Sequence, residues 1–269
     1  MHDLRLKVTR GLRKIYRRIK GKILFQPGPK LCHLCIMPSP APSSLTLSPG
    51  SRLTLLAPHP DDESLAAGGL IQHAVAAGAE VRVVFATDGD NNPWPQRWVE
   101  RRWFIDADCR RRWGGLRRAE GKRAIHVLGL AEDHATFFGI PDTELMPRWR
   151  NRDAATLATF IDEFKSHPPD ILITPSSQDG HPDHLGMFHL AQEALKQTGQ
   201  TPAQFTYLIH RRWFHPHATG TSLQLTPQQQ QTKLEAILCH ETQIKLSRGR
   251  FCSYAAPEEI FAPEPPSIS

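Results

Sequence analysis

Two segments constrain this chain more than anything else in it. Leu53 to Leu70 reads LTLLAPHPDDESLAAGGL, an apolar run that stops at His-Pro-Asp-Asp-Glu before small residues resume. Leu53, Leu55 and Leu56 suit a buried strand, and Pro58 and Pro60 keep that strand from continuing. His59 to Glu63 therefore reads as a loop at a strand end. Asp61 and Asp62, adjacent carboxylates beside an imidazole, are costly against an apolar strand unless a cation, a substrate or water neutralises them. Far along the chain, Asp170 to Pro175 (DILITP) reads as a second apolar strand and runs into SSQDGHPDHLGMFHLA. His181 and His184 are three apart with Asp183 between them, and Leu185 to Leu195 reads as a helix. Loops at the carboxyl ends of parallel strands on either side of a topological switch meet in one crevice, and both clusters are expected there.

The rest of the chain alternates in the same manner. Leu65 to Ala77 has helical spacing and Gly78 is placed to end it. Gly68-Gly69 reads as close helix-sheet packing, because no Gly-x-Gly-x-x-Gly pattern supports a phosphate loop. Val81 to Ala86 is the next strand, completing a right-handed β-α-β unit. Asp88 to Gly115 breaks the alternation, with Trp94, Trp98, Trp103 and Trp113 among six arginines, and reads as an inserted loop with a short helix. Two readings of it are open. The rings could face sugars while the arginines hold anionic groups of a glycoconjugate, or the tryptophans anchor the insertion and the arginines face water. Leu116 to Leu128 reads as a helix, Ala135 to Gly139 as a strand with Asp142 just beyond it, Ala154 to Phe164 as a helix, and Phe205 to His210 as a fifth strand. Thr226 to Ile237 reads as a helix with Pro227 in its first turn. His210, His215 and His217 read as ordinary residues, and the Pro- and Glu-rich tail, 257–269, as frayed.

The pair APHPDDE and DGHPDH resembles the LmbE-like zinc deacetylase family, also called the PIG-L family, over Arg52 to Gln243. Weaker agreements are Thr87-Asp88-Gly89, Arg117-x-x-Glu120, Gly139-Ile140-Pro141-Asp142 and His240-x-x-Gln243. The fold expected is α/β, a Rossmann-like three-layer sandwich with a mainly parallel sheet of strand order 3-2-1-4-5. The resemblance implies removal of an N-acetyl group from an N-acetylglucosamine-type sugar, with one Zn2+ per chain. His59, Asp62 and His184 are read as its ligands, since two imidazoles and a carboxylate leave room for water; iron also fits that set. Asp61 is read as the acid-base residue, and His181, oriented by Asp183, as the stabiliser of the oxyanion through an N–H or as a cation. Arg117 and Asp142 are implied to touch the sugar, and Asp88 and Trp94 join them as substrate-binding candidates. The alternatives are deacetylation of a small soluble glucosaminyl thiol precursor and a non-catalytic, metal-containing carbohydrate-binding protein.

At 269 residues the chain suits one α/β domain, read as 52–256, with appendages. Its net charge of +6 belongs to the amino-terminal arm: residues 1–30 carry ten Lys or Arg against one Asp, leaving −3 for the rest. A nucleic-acid-binding domain is disfavoured accordingly. Leu4, Val8, Leu12, Ile15, Ile19 and Ile23 recur at helical steps among basic residues, so 1–25 reads as a cationic amphipathic helix with residues 4–24 suited to an anionic membrane surface. Docking on protein and a nucleic-acid-binding arm are the other readings. Residues 26–51 read as a Pro/Ser-rich linker containing Cys32 and Cys35, and no second pair completes a zinc site with them. Five scattered cysteines, no long apolar run and no signal peptide suit a cytoplasmic protein, peripheral on the inner face of the membrane if the arm binds there.

Overall fold

The computed structural model describes residues 45–210 and 220–264. The amphipathic helix read at 4–24, Cys32, Cys35, His215 and His217 lie outside the described residues.

Apolar runs form the centre of the sheet, where strands covered on both faces lose the alternation of half-exposed ones. Strand β1 (Arg52–Ala57) is buried at every position after the first. It pairs in parallel with β2 (Glu80–Thr87) on one side. Helix α1 (Asp62–Ala76) connects the two strands. The chain then continues through α2 (Pro93–Glu100) and α3 (Ala107–Val127) to β3 (Ala135–Ile140), which pairs in parallel with β2. After α4 (Leu145–Arg150) and α5 (Ala154–Ser166), β4 (Ile171–Pro175) pairs with the other side of β1. Helix α6 (Pro182–Thr198) leads to β5 (Ala203–Tyr207), parallel to β4. The order β3-β2-β1-β4-β5 is the expected one, and the switch falls between β1 and β4. Leu53 and Leu55 pack one face with Leu70, Ile71 and Ile125; Leu56 packs the other with Phe160, Met187 and Leu190. Each such fully buried side chain contributes about 1.5–3 kcal/mol.

Three expectations are corrected. The tail read as frayed from Pro257 instead holds strand β7 (Glu258–Pro263), antiparallel to β5, with β6 (Thr221–Gln224) on its far side. Pro257 precedes the strand and Pro263 is its last residue, opposite Phe205, and Phe261 is fully buried. The expected linker ends early, because Leu45 and Leu47 pack on the core. Helix α3 begins at Ala107, not Leu116: Asp106 caps it by accepting from Cys109 N at 2.7 Å, and Gly114-Gly115, poor helix formers, hide its first turns.

One break in α1 positions the first motif. Ala67 has non-helical φ −137 and ψ 16, which deprives the amides that follow of regular helical partners. Glu259 of β7 supplies them, accepting from Gly69 N at 2.6 Å and Leu70 N at 2.8 Å. Lys233 of α7 (Pro227–Leu238) lies 2.6 Å from the same carboxylate. A Cβ on Gly69 would strike Leu225 and come within 3.0 Å of Glu259 Cδ, so the close packing read there is real and needs glycine.

Candidate active site

Parallel strands all point one way, so the residues that follow them collect along one edge of the sheet. His59 and Asp62 follow β1, Asp142 follows β3, and Asp179 to His184 follow β4. The crevice between them has a volume of about 340 Å3. Asp62 opens α1, where the helix dipole favours a carboxylate, and it accepts from His59 N at 2.9 Å. Asp62 Oδ2 lies 3.1 Å from His59 Nδ1 and 3.3 Å from His184 Nε2. The three expected ligands are thus brought together from two distant motifs.

The far side of each imidazole is also held by acid. His59 Nε2 is 3.1 Å from Asp142 and 3.4 Å from Asp183, and His184 Nδ1 is 3.1 Å from Asp179. A carboxylate behind an imidazole fixes its orientation and raises its basicity as a ligand. Burial opposes charge on both rings, yet the surrounding carboxylates hold His59 well above the ordinary imidazole range and His184 at about 9.

Asp61 stands apart from this set. Its backbone has φ 149 and ψ −31, a conformation that costs a non-glycine residue on the order of 1–3 kcal/mol. Oδ2 accepts from Arg117 Nη2 at 2.9 Å. Burial pushes the carboxyl up to about 6; Arg117 pulls it down and Asp62 adds to the rise. Arg117 also donates to the Gly89 and Pro60 carbonyls. Gly89 has φ +61, and a Cβ there would collide with the guanidinium, which accounts for glycine in Thr87-Asp88-Gly89.

His181 caps α6 and accepts from Asp183 N at Nδ1, 3.2 Å away. A neutral ring that accepts at Nδ1 carries its proton on Nε2. Burial and the neighbouring imidazoles push its pKa down to about 4, so the N–H form of the earlier pair of readings is the one that fits. The orienting group, however, is the Asp183 amide. Its carboxylate instead accepts from Thr143 N at 2.6 Å and Leu145 N at 3.1 Å.

Other candidates move from their expected roles. Arg117 and Asp142 line the crevice, but one is bonded to Asp61 and the other reaches His59 and accepts from Asn91 N. Asp88 forms a forked pair with Arg118 on α3. Trp94 lies in a separate groove with Arg97 and Trp98. Of the four tryptophans in the insertion, only Trp113 is buried as an anchor, since Trp94, Trp98 and Trp103 are exposed. Arg117 and Glu120 do not pair; Glu120 accepts from Thr242 N and Oγ1 at 2.8 and 2.6 Å. Glu63 meets His240 at 2.9 Å. The start of α8 (Glu241–Cys252) is thereby tied behind the first motif, and Gln243 reaches the crevice wall.

Sequence reasoning gave no role to Asp179 and passed over His210. Asp179 accepts from the amides of His181, Ile209 and His210, joining the second motif to the end of β5. His210 brings its ring to 4.9 Å from His184. The repeated acids of SSQDGHPDH were a signal for the first; nothing local marked the second.

The donor set fits a divalent cation on two counts. Both nitrogens of His184 are buried without an aligned hydrogen bond, although acids lie within 3.3 Å of each. Asp61, Asp62, Asp142, Asp179 and Asp183 are all buried, and Arg117 is the permanent cation hydrogen-bonded to any of them among the described residues. Three overlapping groups of donors lie within 4.8 Å: His59, His181 and His184; Asp62, His184 and His210; His59, Asp142 and Asp183. A dication between His59, Asp62 and His184 would supply the charge this cluster lacks.

Comparison with known proteins identifies the family and the fold. The chain is similar to the 1D-myo-inositol 2-acetamido-2-deoxy-alpha-D-glucopyranoside deacetylase of Mycobacterium sp. (strain KMS), 32% identical over 178 residues that cover 60% of this chain and 55% of that protein. It thus spans little more than half the length of that relative. In fold it is similar to N,N'-diacetylchitobiose deacetylase from Pyrococcus horikoshii, with TM-score 0.61, 21% identity and coverage of 80% of this chain and 84% of that one. It is similar also to GalB, the 4-carboxy-2-hydroxymuconate hydratase from Pseudomonas putida KT2440, with TM-score 0.58, 21% identity and coverage of 76% and 82%. One sandwich therefore carries more than one chemistry, and the site must decide which. The family profile "PIG-L: GlcNAc-PI de-N-acetylase" matches residues 54–195. That match spans more than half of the residues and both motifs, so the chain belongs to the PIG-L, or LmbE-like, de-N-acetylase family.

Proposed function

We propose that the chain is a zinc-dependent amide hydrolase that removes the acetyl group from an N-acetylglucosamine-type sugar. The observation that carries this reading is the convergence of His59, Asp62 and His184 beside Asp61, an acid outside the ligand set. When bound, zinc supplies an acidified water and polarises the amide carbonyl. Asp61 takes the proton of the attacking water at Oδ1, the oxygen not bonded to Arg117, as the water oxygen joins the carbonyl carbon. His181 donates Nε2–H to the carbonyl oxygen as charge gathers there. The C–N bond then breaks, and Asp61 delivers the proton to the leaving nitrogen, giving acetate and a free amine. Asp142 and Asp179 hold the rings of His59 and His184, and Arg117 holds Asp61. Recognition of the sugar then falls largely to the polar crevice wall, where Asn92, Gln243 and Arg250 stand.

The preferred substrate is a sugar in a lipid-linked or polysaccharide precursor. A small soluble glucosaminyl compound is the second reading, favoured by the names of the mycobacterial relatives. Acetate release from zinc-loaded protein, measured across N-acetylglucosamine, its inositol glycoside, diacetylchitobiose and a lipid-linked analogue, ranks the two. Sugar binding without acetate from any of them overturns the hydrolase reading and leaves a carbohydrate-binding protein.

A further inference from the structure

Helix α2 and the residues just after it expose aromatic surface that the chemistry does not use. Trp94, Trp98, Trp103 and Phe104 are 67%, 72%, 79% and 92% exposed. Isolated rings on a protein surface are ordinary, whereas four within residues 94–104 form a patch that calls for a partner. Arg97, Arg101 and Arg102 lie among them, and Lys245 of α8 completes the wall of a groove of about 660 Å3.

The patch is held in place by the fold. Buried Gln96 donates to Cys109 O at 2.7 Å, and Arg102 Nη1 lies 3.1 Å from Cys109 Sγ. Arg97 donates to Trp103 O at 3.0 Å and places its guanidinium 5.5 Å from the centre of the Trp94 ring. Nearby arginines farther along have acidic partners, Arg111 with Asp108 and Arg112 with Glu100. Arg97, Arg101 and Arg102 form no salt bridge among the described residues, so their charge is available to a partner.

We propose that this face docks on the surface of an anionic lipid bilayer, with the rings at headgroup depth and the free arginines and Lys245 against lipid phosphates. Two observations favour a bilayer over a soluble saccharide. A ring that stacks on a sugar rests its other face on protein, whereas Trp98, Trp103 and Phe104 are largely exposed and none of them carries a stacked cation as Trp94 does among the described residues. The groove is also rimmed by positive charge, which complements phosphate and has no counterpart in a neutral sugar. Pro95, next to Trp94, and Leu246, next to Lys245, line the catalytic crevice, so docking sets that opening at the height of a lipid-anchored headgroup. The surface is distinct from residues 4–24, and its binding does not depend on the hydrolase reading, so vesicle partition and acetate release can fail separately.

The test uses the full chain with phosphatidylcholine vesicles, with and without phosphatidylglycerol. Partition is measured by sedimentation, and contact by quenching of tryptophan emission with headgroup-nitroxide lipid. Partition is expected to require phosphatidylglycerol and to weaken with added salt. A Trp98→Ser/Trp103→Ser/Phe104→Ser variant should partition at least about tenfold more weakly and lose most of the quenching, with thermal unfolding unchanged. Equal partition of the variant and the parent overturns the proposal and assigns any membrane binding to another segment, and so does a parent that fails to partition. A variant that binds vesicles normally but raises KM for a soluble N-acetylglucosaminide in lipid-free buffer also overturns it, and makes the patch a saccharide platform.

Discussion

Two buried ion pairs in this molecule are built to opposite ends. Between Lys233 and Glu259 every carboxylate oxygen is occupied, Oε1 by Gly69 N and the ammonium, Oε2 by Leu70 N. Between Arg117 and Asp61 the acid sits on a strained backbone, burial raises its pKa, and Arg117 Nε has no hydrogen-bond partner. Full satisfaction stabilises the fold, while incomplete satisfaction leaves a group ready to exchange a proton. The difference separates a structural pair from the pair proposed to work in catalysis.

The most severe way to break that distinction is Asp61→Asn. Acetate release is expected to fall about 10²–10⁴-fold, while the unfolding free energy of the chelator-treated protein does not drop. The sign follows from the raised folded pKa: stability associated with this group is present at low pH and is lost as pH rises through about 6. At pH 7 a neutral amide therefore relieves a cost. Loss of stability on the scale of a structural pair would erase the contrast.

Glu259→Gln should act in reverse, lowering unfolding free energy by about 3–5 kcal/mol in denaturant titrations because Lys233 is left buried and unpaired. A change below about 1 kcal/mol would show that the break in α1 does not need its cap. Asp142→Asn tests the acid behind His59: zinc affinity, read by competition with a chelating dye, should weaken about 10–100-fold. Unchanged affinity would return Asp142 to the sugar-contacting role that the resemblance implied.

The exposed pair Arg52–Asp170 sharpens the comparison at its small end. Its geometry is good, with Arg52 N, Nε and Nη2 all donating to the carboxylate, but water screens it. Asp170→Asn should barely move Tm at neutral pH. The hydrogen bonds from Arg52 lower the Asp170 pKa, so the small contribution is present above the ordinary carboxylate range and is lost on acidification below it. A shift as large as that of Glu259→Gln would mean that alignment, not burial, decides what such pairs are worth.

Much of the fold was legible because its signals are local. The apolar runs of β1, β2 and β4 and the prolines after Ala57 announce strands that stop at the site. His59, Asp62 and His184 were legible as residue types that need a partner. Who that partner is was not. Arg117 is expected at the sugar by resemblance alone, until Gly89, 28 residues earlier, is seen to make room for it beside Asp61. Asp179 and His210 meet only through amides after β5, and β7 was hidden because prolines surround its short Glu-Ile-Phe-Ala stretch. These features depend on contacts distant in sequence, which no window of residues contains.

The clamp on α1 has a consequence for synthesis. Glu259 arrives 190 residues after the Gly69 amide it caps. While the chain is still emerging from the ribosome, the helix that opens with Asp62 has a break and no cap. Each strand of the parallel core can pair as it appears, but the helix that follows the loop proposed to hold the metal is capped only when the far edge of the sheet closes. A nascent chain stalled before that edge should therefore have most of its fold and a loosely held zinc.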